Sequence, residues 1–412
     1  MGPGCGSTRS LKFCRRHKAT ALQVKPMESK VMNDSMKAVS DICDTIMKNV
    51  DRAYVFEAAK KRERPEKLWR LWAETGLLAI GLPEEYGGVG GHMSEVVLAH
   101  DRLHSAGLFL PLTIPNYMVR FPLLKHGTEE QKRKYLPPTA TGESNFAFAI
   151  TEADSGTNTF KIRTNAKRQA NGDYVLNGQK CFITGFDEAE NAIVVARTGP
   201  RDPNNRTSGI SLFIVNTKSK GISMTQMDIA VYMPDRNFIV NFDDVVVPAE
   251  NVLGAEGKGL EAMFDCLNPE RLLAGGMNLG LAEHMLNRGV EYAKVRAPFD
   301  VPIGSYQSVA HPLAIAKTRI EAARLMLYSA AAKYDAGEKI GLEANMIKWL
   351  TSDALTQAAN IAATVHGGAF ADLSSDLIPL YLQAKMSEMA PINNSIILSF
   401  IAQQGLGLPK SY

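Results

Sequence analysis

The stretch Leu267-Asn268-Pro269-Glu270-Arg271 is the most informative part of this 412-residue chain. An Asn before a Pro, then Glu-Arg and a long apolar-periodic run, reads as a helix start. Asn268 is the expected N-cap and Pro269 the first helical residue, where a missing N–H costs nothing. Glu270 then falls in the first turn. Two roles are open to it there. A first-turn carboxylate can simply complement the helix dipole, or it can take a proton from a bound substrate as a general base.

The elements that must position this carboxylate follow from periodicity. From residue 27 to 143 the pattern is helical. Leu68, Leu71, Trp72 and Leu78 recur at helical spacing on one face, and Thr128-x-x-Gln131 is a capping box. Pro137-Pro138 and Gly142 mark a boundary. Between 144 and 257 the period drops to two. Short β-rich runs at 173–176, 192–196, 209–215 and 237–242 are separated by turns such as Asn171-Gly172 and Asn177-Gly178. A β-barrel or sandwich of this size is expected. From 258 to 412 helical period returns, with runs at 279–295, 315–335, 342–366 and 386–404 long enough for a four-helix bundle. The expected architecture is therefore α+β and multidomain: helical, then β, then helical.

Composition narrows the function classes. The chain is 45% hydrophobic and 22% charged, as in globular proteins, and its net charge of +3 implies no nucleic-acid partner. No apolar run reaches the length of a membrane span. Cys5, Cys14, Cys43, Cys181 and Cys266 are scattered, with no metal-binding spacing, which favours a reducing compartment. Residues 1–26 are basic and free of acids. They are expected to be a disordered extension; the other reading is an organelle presequence.

Two segments of the β region carry a resemblance. Phe146-Ala-Phe-Ala-Ile-Thr-Glu-Ala-Asp-Ser-Gly-Thr-Asn158 and Leu176-Asn-Gly-Gln-Lys-Cys-Phe-Ile-Thr184, with the domain order, resemble the acyl-CoA dehydrogenase family. The resemblance implies an FAD cofactor. A flavin needs an apolar wall, short hydroxyl side chains and close backbone approach. Phe148 and Ile150 can supply wall, Thr151 and Thr184 hydroxyls, and Gly156 close approach. By resemblance Phe148, Ile150, Thr151, Gly156, Thr157, Phe182 and Thr184 fall on FAD-binding positions, Thr157 also on the thioester side. Phe182 stands where the family commonly has Trp; an aromatic face is kept and the indole N–H lost.

Further on, Arg296-Ala-Pro-Phe299-Asp300 and Gln307 resemble a family segment that reaches the FAD diphosphate across a subunit interface, with Asp300 replacing the usual Gly. Val365-His366-Gly367-Gly368 resembles the double-Gly turn beside the same diphosphate. For His366 itself a satisfied helix-end histidine is the expected role. Arg suits a diphosphate because its planar fork donates two bonds at once.

Many relatives carry the catalytic base in a C-terminal Glu-Gly-Thr motif. The matching segment here is Ala390-Pro391-Ile392-Asn393-Asn394-Ser395, with Pro391 at the carboxylate position. A second branch, resembling isovaleryl- and long-chain acyl-CoA dehydrogenases, places the base in a Glu-Arg pair on the first bundle helix, which is Glu270-Arg271. Loss at one place and presence at the other point to Glu270 as base. Resemblance sets Asn268 and Arg271 near the CoA and pantetheine moiety, although Arg271 could equally serve a salt bridge.

The resemblance thus implies α,β-dehydrogenation of an acyl-CoA, electron transfer to an electron-transferring flavoprotein, and a homotetramer or homodimer. A cytoplasmic location is expected, or the mitochondrial matrix if residues 1–26 are a presequence. An oxygen-using acyl-CoA oxidase or two-component monooxygenase, and a non-catalytic acyl-CoA-binding protein, are the competing readings. The acyl group is not legible.

Overall fold

A computed structural model of the chain describes residues 33–202, 204–231 and 234–410. The basic segment 1–26 and the expected start of the first domain at 27 lie outside the described residues.

The first part is helical: α1 (Asp34–Asn49), α2 (Arg52–Lys61), α3 (Glu66–Glu74), α4 (Met93–Ser105), α5 (Thr113–Met118), α6 (Arg120–His126), α7 (Glu129–Tyr135) and α8 (Pro137–Thr141). The capping box is present at α7. Thr128 Oγ1 accepts from Gln131 N at 3.2 Å, and Gln131 Oε1 accepts from Thr128 N at 3.1 Å. The face of α3 differs from expectation. Gly76 takes the left-handed conformation, so the helix stops and Leu78 enters the core from a following 3-10 turn. Trp69 fills the face beside Leu68 and Trp72.

The middle part is one eight-stranded mixed sheet, ordered β6-β7-β3-β2-β4-β5-β8, with β1 on β4. Its strands are β1 (Phe146–Ala149), β2 (Asn165–Arg168), β3 (Tyr174–Thr184), β4 (Asn191–Arg197), β5 (Ile210–Asn216), β6 (Ile222–Gln226), β7 (Asn237–Val247) and β8 (Val252–Leu253). Central β4 serves two cores. Ala192, Val194 and Ala196 pack inside the sheet layer, while Ile193 and Val195 face a cluster shared with α7 and α8. Asn177-Gly178, expected as a turn, instead lies within β3. The register shifts between Leu176 and Gly178, and a Cβ on Gly178 would come within 2.6 Å of Thr164 Oγ1, so the glycine marks a bulge under close approach.

The last part holds α9 (Gly259–Val295), α10 (Gln307–Asp335), α11 (Gly341–His366), α12 (Leu377–Ser387) and α13 (Asn394–Leu406). The run expected at 386–404 is two helices, parted at Pro391 and restarted by Asn393, whose side chain caps Ser395 N at 2.8 Å.

Helix α9 overturns the expected start at Asn268. It is 37 residues long with Pro269 inside it, so Asn268 is no N-cap and Glu270 is far from the first turn. A proline mid-helix costs roughly 3 kcal/mol through its absent N–H and its clash with the carbonyl four residues back. Burial outweighs that. Leu260 and Met263 before it and Leu272 and Leu273 after it are all buried in the cores, each worth about 1.5–3 kcal/mol.

The N-terminal helices and the C-terminal bundle share one hydrophobic core. Helix α4 lies directly on α9: a Cβ on Gly276 would sit 2.9 Å from the Val97 carbonyl oxygen, and one on Gly280 2.6 Å from that of Asp101. Arg324 of α10 locks this layer by donating to Asp101 at 2.8 and 3.1 Å. Among the described residues no helix is long and apolar enough to cross a membrane.

Candidate active site

Glu270 is 4% exposed, and its Oε2 has no hydrogen-bond partner. Burial in a medium that solvates charge poorly pushes its carboxyl up to about 7, against the opposing pull of Arg271 and Lys348. The dipole of α9 does not account for it, since that effect fades within the first turn. A buried carboxylate with a free oxygen and a proton affinity near neutrality is suited to accept a proton.

Arg271 is also buried. Its Nη1 donates to Asn268 Oδ1 at 2.7 Å, while Nε is unpartnered. No carboxylate stands within salt-bridge distance of Arg271 among the described residues. Asn268 and Arg271 therefore form a small polar pair one turn around Glu270.

The flavin-type residues gather at the ends of β1 and β3. Cys181 N donates to the Thr151 carbonyl at 2.9 Å, and Lys180 Nζ to the Ile150 carbonyl at 2.9 Å. Those bonds bring Ile150 and Thr151 beside Phe182. Phe182 stands at φ 57 in a bulge between Lys180 and Ile183, 52% exposed, as an open aromatic face. Thr184 Oγ1 donates to Asn237 Oδ1 at 3.2 Å. Gly156 and Thr157 are exposed on the adjoining loop, and a Cβ on Gly156 would meet only Thr151 Cγ2, at 4.0 Å. Phe148 and Ile150 pack in the same cluster as Leu267, three residues before Glu270, which ties this group to α9.

A second group lies elsewhere. Arg296, Phe299 and Gln307 are exposed beyond the end of α9. Gly367 and Gly368 are exposed just past α11, at the same end, because Tyr292 stacks on His366 with ring centroids 4.4 Å apart. At 1.5 Å per residue, Arg296 is about 39 Å along α9 from Glu270. One chain does not bring the two groups together. Asp300 has φ 62, a conformation that glycine adopts freely and Asp tolerates. His366 is satisfied, Nδ1 lying 2.8 Å from the Ala362 carbonyl.

Sequence reasoning missed Lys348 on α11, which is 1% exposed, and Lys180, which is fully buried with Glu152. A lysine inside the apolar run Met346-Ile347-Lys348-Trp349-Leu350 is the signal that marks the first.

Three family models match in order: the acyl-CoA dehydrogenase N-terminal domain at residues 33–143, middle domain at 147–245 and C-terminal domain at 257–406. The chain belongs to the acyl-CoA dehydrogenase family. Acyl-CoA dehydrogenase FadE12 of Mycobacterium tuberculosis is 37% identical over 372 residues, covering 88% of this chain and 94% of that protein. Caffeyl-CoA reductase-Etf complex subunit CarC of Acetobacterium woodii is 35% identical over 320 residues, covering 76% and 82%. The structure of butyryl-CoA dehydrogenase from Megasphaera elsdenii matches with a TM-score of 0.85 at 28% identity, covering 92% of this chain and 100% of that one. As an acyl-CoA dehydrogenase family member, the chain is an FAD-dependent oxidoreductase acting on acyl-CoA. Its residues fit the cofactor: an exposed aromatic face at Phe182, two threonine hydroxyls and an open glycine loop gather where β1 and β3 end.

Proposed function

We propose that this chain removes two hydrogens from the α and β carbons of an acyl-CoA thioester, with Glu270 as the base. The buried, unpartnered carboxylate of Glu270 is the observation that carries this reading. Ionised, it takes the α-proton at Oε2; burial keeps its proton affinity high enough for the transfer. Arg271 and Asn268 hold the CoA side of the substrate, and Thr157 contacts the thioester. Pro391 removes the competing site for a base, since proline carries no titratable group.

Bound FAD supplies the acceptor for the β-hydrogen, which leaves as hydride. Phe148, Ile150, Thr151, Gly156, Thr157, Phe182 and Thr184 hold it from one chain. Arg296, Phe299, Gln307, Gly367 and Gly368 hold its diphosphate from a neighbouring copy, the separation of the two groups along α9 being the support. The assembly is then a homotetramer or homodimer. Electrons pass to an electron-transferring flavoprotein, a reading supported by the name of the CarC relative, and the protein works in the cytoplasm.

The test is an anaerobic titration of the purified protein with a panel of acyl-CoAs, following oxidised-flavin absorbance. Bleaching by one acyl class supports the reading and identifies the substrate. Flavin that no acyl-CoA bleaches rejects it; rapid peroxide formation would make the protein an oxidase instead.

A further inference from the structure

Lys348 reaches the neighbourhood of Glu270 through the packing of α11 on α9. The two helices run in the same direction in contact. A Cβ on Gly275 would meet Ile347 Cγ2 at 2.9 Å, Asn278 Nδ2 donates to Thr351 Oγ1 at 3.5 Å, and a Cβ on Gly289 would meet the Ala362 Cα at 3.5 Å. This register sets Lys348 level with Gly275 and Gly276, about one and a half turns of α9 beyond Glu270. Helical side chains lean towards the N-terminus, so its stem returns in the direction of that residue.

The ammonium is held in place. Its Nζ donates to the Glu388 carbonyl at 3.1 Å and to Asn394 Oδ1 at 2.6 Å, and no carboxylate lies within salt-bridge distance among the described residues. Both acceptors are neutral, so its positive charge is not cancelled by contact and acts on what shares the interior. Burial pushes Lys348 down to about 8, with Glu270 opposing that fall.

The other ionisable groups around Glu270 are few. Its own helix offers Cys266 and Arg271, and Glu388 at the end of α12 faces Lys348. His100, Asp101 and His104 of α4 lie further along, beside Gly276 and Gly280, with Asp101 engaged by Arg324 of α10. Arg120 of α6 is spent on Leu78 and Thr139.

We propose that Lys348 is a positioning residue for this site: its anchored ammonium shares the buried interior with Glu270 and favours the ionised form that takes the α-proton. The inference rests on Glu270 being the base. It assigns to α11 and the α12–α13 corner a part in the chemistry that no contact with substrate requires.

The experiment is an infrared titration of the full-length holoenzyme, following the protonated-carboxyl band of Glu270, identified by its disappearance in Glu270→Gln. In Lys348→Met the midpoint is expected to rise by ~1 pH unit, the effect of removing one nearby charge at an effective dielectric of about 20. Lys348→Arg should leave it within a few tenths. Asn394→Asp keeps shape and hydrogen bond but neutralises the ammonium, and should raise the midpoint as Lys348→Met does. The acid limb of flavin reduction by acyl-CoA is expected to move with it. Wild-type midpoints in Lys348→Met and Asn394→Asp overturn the proposal; should the first variant not fold, the second decides. A wild-type flavin-reduction rate in Glu270→Gln instead rejects the base itself.

Discussion

Lys180 Nζ lies 2.9 Å from Glu152 Oε1, with the lysine fully buried and the carboxylate nearly so. The same carboxylate accepts from Arg163 N at 2.6 Å and Thr164 N at 2.9 Å, and the lysine also reaches the Ile150 carbonyl. One buried pair therefore pins the turn that carries Thr151, one of the residues proposed to hold the flavin. Every oxygen and proton of the pair that these bonds use would otherwise be stranded away from water.

Removing one partner of that pair leaves the other uncompensated. Lys180→Met is expected to cost about 3–5 kcal/mol of stability, measured by denaturant unfolding, and to weaken FAD retention on gel filtration. A loss below about 1 kcal/mol would show that water reaches Glu152 after all.

Glu270→Gln is expected to keep its flavin and to lower the rate of flavin reduction by acyl-CoA about 10²–10⁴-fold. In the wild type, activity should fall as pH drops through about 7, where Glu270 gains its proton. Stability runs the opposite way. A carboxyl raised above its ordinary value favours the fold while protonated, and that contribution is lost as pH rises from the ordinary value of 4.5 to about 7. Above that range Glu270→Gln should be the more stable protein, by roughly 3 kcal/mol. Equal unfolding midpoints at pH 8 would contradict this.

If Arg296 serves the FAD of a neighbouring copy, two inactive proteins can rescue each other. Arg296→Ala should lose FAD affinity and Glu270→Gln should lose chemistry, while their co-expressed mixture should recover part of the wild-type activity. Complete inactivity of purified heteromers would place both functions in one subunit.

Gly280 has no room for a side chain, because its Cβ would press on the Asp101 carbonyl oxygen at 2.6 Å and the His104 Cβ at 2.7 Å. Backbone cannot yield as a flexible side chain can, so Gly280→Val is expected to cost at least about 3 kcal/mol. Thermal denaturation of the variant checks it, and an unchanged midpoint would mean that α4 and α9 slide apart freely.

Local signals were legible where the physics is local. The Thr128–Gln131 capping box and the helical and strand periods follow from groups a few residues apart, and the structure places them accordingly. The Asn177-Gly178 turn failed because Gly178 answers to Thr164, a neighbour the local pattern does not contain. Glu270 could be singled out by its type and its Arg271 neighbour, yet its supposed first-turn position was wrong, because Pro269 is carried inside α9 by packing on both sides.

By itself, the sequence determined the order of helical and β segments, the family, and the residue types that can hold a flavin or take a proton. Those properties reside in spacing along the chain. Only the tertiary structure decided that Glu270 is buried with a free oxygen, that Lys348 is buried on the helix packed beside it, and that Arg296 and Gly367 share an end remote from both. Each depends on how distant helices register against one another, and burial, which sets proton affinity, exists only once they have packed.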